Sequence, residues 1–325
     1  MTDEPMSLPR RIAVAIAVAA AAFILVVWLR YGGRSDFSDF DQLWIGARAL
    51  LHGSDPYVAV PQGFPWPLYY PLPAVIVAVP FAWMPKELAH AVFAALGAGV
   101  LAFALLRGAT IRLLGLVSFA FIYALQQGQW SPILAGAAVL PSLGFLFAVK
   151  PTIGAALWTY QMSGRALLLA ALFTLASIVV MPGWIAEWRA TIALAPHIRA
   201  PVTYLGGPIV LLALTRWRRP EARLLVALTL IPQTFVAYET LPLVLVPATR
   251  MEVLVLGLGG VMAEVVAIAM NPPGDLVSSI GVRGPLLIVF MYLPALVMVM
   301  RRSNEGETPQ WLGNLLSGRA RSPQS

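Results

Sequence analysis

Arg10-Arg11-Ile12-Ala-Val-Ala-Ile-Ala-Val-Ala-Ala-Ala-Ala-Phe-Ile-Leu-Val-Val-Trp-Leu29 is the stretch that decides the architecture. From Ile12 to Leu29 it carries no charge. At 1.5 Å per residue it is about 27 Å long, enough to cross a hydrocarbon core of ~30 Å. A cleaved leader would have a shorter apolar region, and here further apolar runs follow, so a retained first span is expected. The paired arginines before it place the N-terminus in the cytoplasm.

The rest of the chain reads the same way. Its 325 residues are 59% hydrophobic and 11% charged, with a mean hydropathy of +0.78. A soluble domain carries about 25% charged residues, so a water-facing surface of this size is excluded. In lipid the backbone must close its own hydrogen bonds, as helices or as a barrel. The apolar runs are continuous and rich in Ala and Leu, without alternation, which predicts helices. The expected fold is an all-α polytopic membrane protein with about ten to twelve transmembrane helices. There is no cysteine, and three scattered histidines (His52, His90, His197) make a histidine metal site a poor reading. The net charge of +7 fits arginines in cytoplasmic loops better than a nucleic-acid partner.

Apolar runs at residues 88–106, 113–125, 166–180, 208–214, 224–235, 241–248, 253–270 and 286–300 are the further candidate crossings. Residues 133–140, 143–149 and 153–160 form three short segments, broken at Pro141 and at Lys150-Pro151. Helices broken at membrane depth usually line a cavity. Residues 74–84, with Pro80, are too short to span and are expected at the interface or re-entrant. Residues 1–302 read as one transmembrane domain with both ends cytoplasmic, and residues 303–325 as a polar, disordered tail.

The longest early interruption lies at residues 31–87, outside the membrane in this topology. It contains Ser35-Asp-Phe-Ser-Asp-Phe-Asp-Gln-Leu-Trp44, Gly53-Ser-Asp-Pro-Tyr57 and Trp66-Pro-Leu-Tyr-Tyr-Pro-Leu-Pro73. Residues 47–53 predict a short amphipathic helix ended by Gly53. A carboxylate just before such a helix sits where water meets lipid. Asp39 there suits a general base acting on a water-borne hydroxyl. Alternatively Asp36, Asp39 and Asp41 cap or solvate the loop. Lys150 interrupts an apolar run and expects an anionic partner, a lipid phosphate or solvent at a helix end. Arg189, His197 and Arg199 lie in a second outer loop, where Arg199 meets phosphate or only solvent. Glu264 is either a proton-relay group or the partner of a neighbouring helix. Glu239 is expected near the outer surface, against an acceptor sugar. Trp66, Tyr69 and Tyr70 suit sugar stacking, or an interfacial aromatic belt. No phosphate loop, dinucleotide fingerprint or zinc signature appears.

These residues resemble glycosyltransferase family 87, the polyprenyl-phosphate-mannose-dependent α-mannosyltransferases of the GT-C superfamily. The likeness runs through Asp39-Phe40, Trp44, Ala47-Arg-Ala-Leu-Leu51-His-Gly53-Ser-Asp-Pro-Tyr57, Tyr70-Pro71-Leu72-Pro73, Gly128-Gln129 and Lys150-Pro151. It implies a GT-C-like fold and a metal-independent, inverting transfer of a sugar from a polyprenyl-phosphate donor, with no other cofactor. The acceptor would be a glycolipid or glycan on the extracytoplasmic face of a bacterial plasma membrane. Asp39 matches the catalytic aspartate. Asp41, Trp44, Tyr57, Trp66, Tyr69, Tyr70, Gln129, Lys150, His197, Arg199 and Glu239 are the candidate substrate-binding residues. A transporter or flippase of polyprenyl-linked sugars is the competing expectation, favoured by the broken helices and Glu264.

Overall fold

The structure, a computed structural model, describes residues 6–33, 38–108, 110–195, 198–272 and 274–306. Among these the chain is helical, apart from one isolated backbone bridge between Arg199 and Gln233. The helices are α1 (Leu8–Tyr31), α2 (Asp39–Leu51), α3 (Pro56–Gly63), α4 (Leu72–Ala78), α5 (Lys86–Leu105), α6 (Phe119–Gln126), α7 (Ser131–Val139), α8 (Pro151–Gln161), α9 (Gly164–Val180), α10 (Trp184–Ala193), α11 (Pro220–Leu230), α12 (Arg250–Ala269), α13 (Leu276–Leu287) and α14 (Leu293–Met300).

Four helices are long and apolar enough to cross a membrane: α1, α5, α12 and the run Val277–Met300. The pair α9–α10, bent by 103°, would make a fifth. This is a multi-pass membrane architecture, but ten to twelve full-length helices are not present among the described residues. Prolines explain the difference. Pro132, Pro141, Pro151 and Pro242 start or interrupt the other apolar runs, which become α7, α8 and 3₁₀ segments at Pro141–Val149 and Ala237–Leu245. Segments of this length reach about 12–20 Å, short of the ~30 Å core. The run expected at residues 113–125 is likewise split into a 3₁₀ segment, Thr110–Val117, and α6, because Ser118 caps the latter.

The long helices show where lipid must lie. α1 buries only Ala15, Ala22, Val26 and Arg30, while Ile12, Ile16, Ile24 and Trp28 stand exposed. Its small residues allow close approach to α5, and a Cβ on Gly99 would lie 3.2 Å from the Ala19 methyl. α12 exposes Leu254, Leu258, Val261, Val265 and Ile268 along its outer side. The short broken segments are instead enclosed: Leu134, Phe147, Val149, Ile153 and Leu157 are all buried. Residues 74–84 do not span, as expected: Ala74, Val75 and Ala78 are at zero exposure and pack into the protein, while Trp83 is 80% exposed at the far end.

Two opposite ends can be told apart by their contacts. The Arg11 guanidinium lies over the Phe103 ring, 5.5 Å from its centroid, so the start of α1 meets the end of α5. There Arg302 bridges Glu221 and Glu252, and Arg223 donates to the carbonyls of Thr159 and Tyr160. At the other end Arg30, Asp41 and Lys86 join the end of α1 to the starts of α2 and α5. The last crossing carries a π-helical turn, Ile288–Tyr292. Pro294 has no N–H to return to the Phe290 carbonyl, and that freed carbonyl faces Gly259 of α12.

Candidate functional site

α2 begins at Asp39, well before the helix expected at residues 47–53. A capping box sets the start. The Asp41 carboxylate accepts from the Ser38 backbone N–H at 3.1 Å and from the Ser38 hydroxyl at 3.1 Å. The same carboxylate takes two bonds from Arg30, at 2.9 and 3.0 Å, while Lys86 stands 3.6 Å away. Asp41 is thus a buried brace, not a substrate contact. Gly53, at φ +70°, follows the C-cap residue His52 and turns the chain into α3. Asp55 caps α3 through the Tyr57 N–H at 2.8 Å.

Asp39 occupies the first turn of α2, and its N–H donates to the Gln127 carbonyl at 2.9 Å. That bond pins the helix start to the turn after α6. Close approach is possible there because residue 128 is glycine. Its φ is +61°, and a Cβ would clash with Phe40 and crowd His90. The turn presents Gln129, whose side-chain amide donates a short bond to the Asp39 carboxylate. The Gln129 carbonyl oxygen accepts from the Tyr70 hydroxyl at 3.3 Å. Tyr57 steadies Tyr70 by donating to its backbone carbonyl at 3.2 Å.

Close enough to act on the Asp39 charge stand Lys150, between Pro141–Val149 and α8, and Glu239, in the segment Ala237–Leu245. They form an ion pair at 2.5 Å. Lys150 keeps a fifth of its side chain exposed, whereas the Glu239 side chain is buried. The Lys150 ammonium lies 6.0 Å from the Tyr70 ring centroid and 5.8 Å from that of Tyr238. Tyr238 in turn packs on Tyr123 at 5.5 Å. The expected anionic partner of Lys150 is therefore filled from within the chain, and Glu239 is an internal counter-ion rather than an outer-surface residue.

Charge crowding shows on Asp39. It keeps a partly exposed face although protein surrounds it closely. Burial, the largest cause, pushes its carboxyl up to about 6. Lys150 opposes this, Glu239 adds to it, and the Gln129 bond opposes it. Burial, together with Asp39 and Glu239, also pushes the Tyr70 hydroxyl well up, so it stays a donor.

The structure thus brings together Asp39, Tyr70, Gln129, Lys150 and Glu239. Tyr57 supports from behind. Trp44 is turned away: its indole donates to the Met84 carbonyl at 3.1 Å and its ring carries Arg48. Trp66 is nearly half exposed, as a belt residue would be. Tyr69 holds α10 in place, its carbonyl accepting from the Trp188 indole at 2.9 Å. Arg199 pairs its backbone with Gln233, and its charge acts on Tyr204. His197, Asp36 and residues 307–325 lie outside the described residues. Glu264 is paired with Arg283 at 2.6 Å, the helix-partner alternative. Sequence reasoning missed Tyr238 as the ring beside Lys150, Tyr123 packed on it, and Arg30 as the tie to Asp41. The one available signal was that Tyr238 adjoins Glu239. Among the described residues, no group of three or more His, Asp or Glu is placed to hold a metal ion.

The arrangement offers a carboxylate near neutrality, a nearby cation and an aromatic rim. These can bind a hydroxyl beside a phosphate and take a proton from it. No family model, curated protein or solved structure matches this chain.

Proposed function

We propose that this protein is an integral-membrane glycosyltransferase. It would move a hexose, mannose or a similar sugar, from a polyprenyl-phosphate donor to a glycolipid or glycan acceptor. The observation that supports this is that Asp39 and Lys150, distant in sequence, are brought together around Tyr70 and Gln129 at the end opposite the arginine-rich end. By the positive-inside tendency, this reading puts the Asp39 site outside the cytoplasm of a bacterial plasma membrane and the arginine-rich end inside.

The reaction is a single displacement with inversion. The acceptor hydroxyl oxygen attacks the anomeric carbon, and its proton passes to Asp39. The bond from that carbon to the phosphate oxygen breaks, and the lipid phosphate leaves with the electron pair. A phosphate needs no general acid to leave. Lys150 would meet its developing charge by sharing itself between Glu239 and the phosphate. Asp39 at about 6 is mostly ionised at neutral pH yet basic enough to accept the proton. A transporter has less support, since Glu264, the candidate relay group, is tied to Arg283.

The test is transfer of radiolabelled hexose from polyprenyl-phosphate-hexose by the purified protein in nanodiscs. Wild type should form a glycosidic product, and Asp39→Asn should lose about 10²–10⁴-fold in rate. A folded Asp39→Asn variant with full activity would overturn the assignment.

A further inference from the structure

One cavity does not touch Asp39 or Lys150. It lies at the arginine-rich end, where α5, α7, α8 and the segment Ala237–Leu245 all finish, and its volume is about 450 Å³. That is within the range of small-molecule sites. Arg107, Arg112, Tyr160 and Gln161 supply its polar wall, Leu105 and Leu245 part of its apolar wall, and no acidic residue is among the described residues that line it.

Four helix ends converge here, and their carbonyl ends would by themselves repel an anion. Those carbonyls are already answered. Gln161 donates to Val139, Arg223 to Thr159 and Tyr160, and the Arg112 Nε to Pro247 at 2.8 Å. Glu221 and Glu252, the nearby acids, are taken by Arg302. Arg112 spends one Nη on the Tyr160 hydroxyl at 3.3 Å. No described residue forms an ion pair with Arg107 or Arg112, and the Arg107 side chain is exposed. Two guanidiniums thus retain donors at the mouth of a half-apolar cavity beside the end of a spanning helix.

We infer that this cavity is a second binding site, distinct from the Asp39 site, for a net-anionic phosphate compound whose phosphate is carried on an apolar body. An anionic phospholipid headgroup and a soluble phosphate compound share that chemistry. Planar guanidinium forks match phosphate oxygens, and the apolar wall takes what the phosphate is attached to.

Gly108 gives a clean test. A Cβ there has room, and it would sit 3.8 Å from the Arg112 Nη1. Gly108→Glu places a carboxylate beside Arg112, and Gly108→Gln fills the same space without charge. The full-length protein in detergent is titrated with dioctanoyl phosphatidylglycerol, dioctanoyl phosphatidylcholine and inorganic phosphate. Saturable binding of phosphatidylglycerol by wild type is expected. It should weaken about ten- to a hundred-fold in Gly108→Glu, the loss for one charge-assisted bond, and less in Gly108→Gln. Arg107→Gln should weaken it similarly, and as an exposed side chain it should leave folding intact. Inorganic phosphate binding as tightly as the lipid would assign the site to soluble phosphates. Equal affinity for phosphatidylcholine, or equal binding by Gly108→Glu and wild type, would overturn the inference. None of these readouts depends on sugar transfer.

Discussion

Replacing Asp39 by Asn should make this protein more stable as it makes it inactive. The Asp39 carboxyl sits at about 6, against 3.8 for an unperturbed aspartate. Two pH units at ~1.4 kcal/mol each amount to about 3 kcal/mol of strain when the group ionises. Its partly exposed face lets solvent screen some of that, which brings the figure to about 2 kcal/mol. The sign follows from proton binding. Between 3.8 and 6 the folded state holds the proton and the unfolded chain releases it, so stability falls as pH rises through this window. Below the window the penalty is absent, and above it the penalty is complete. Asn cannot ionise, yet its amide oxygen can still accept the Gln129 bond. Thermal unfolding of wild type and Asp39→Asn in the same detergent, at intervals from about pH 4 to 8, should show nearly equal stability at the acid end. The variant should then gain steadily and level off above about pH 6. An Asn variant that is no more stable at neutral pH, or whose advantage does not change with pH, would refute the claim that Asp39 is held against its burial.

Other substitutions probe the supports. Arg30→Met leaves the buried Asp41 with the more distant Lys86 as its one cation within 4 Å among the described residues and should cost about 3–5 kcal/mol by thermal unfolding, part of it recovered in Arg30→Met/Asp41→Asn. Lys150→Met removes the charge that lowers the Asp39 carboxyl and leaves Glu239, which raises it, without that opposing charge, so on the proposed function the acid limb of the pH–rate profile should move to higher pH, and the donor KM should rise. Gly259→Ala drives a methyl into the Phe290 carbonyl and should cost about 1–3 kcal/mol. Gly257→Ala, in the same helix but facing open space, should be neutral or stabilise by up to about 1 kcal/mol.

The parts of this fold that depend on local runs could be read from sequence. Ile12–Leu29 lies within α1, residues 166–180 within α9 and residues 253–270 almost within α12. The breaks at Pro141 and Lys150-Pro151 also stand where proline chemistry puts them. Length was the error: hydropathy counted each apolar run as a crossing, whereas several are too short and are shielded by protein instead of lipid. At the site, Asp39, Gln129 and Lys150 could be singled out because each is a polar interruption with a distinctive neighbour. Their pairings could not. Nothing near Lys150 in sequence points to Glu239, and nothing near Asp41 points to Arg30 across the preceding turn. The capping box at Ser38 and Asp41 was legible, and overlooking it put the start of α2 too late.

The Arg302 clamp bears on how the chain is made. Among the described residues Glu252 forms an ion pair only with Arg302, and Glu221 pairs otherwise only with Arg219. Since synthesis runs from the N-terminus, both acids enter the membrane region before their guanidinium has been translated. The Arg302 link between Glu221 and Glu252 is therefore missing during biogenesis until almost the last described residues emerge, and a ribosome stalled short of residue 302 would leave the arginine-rich mouth of the bundle without it.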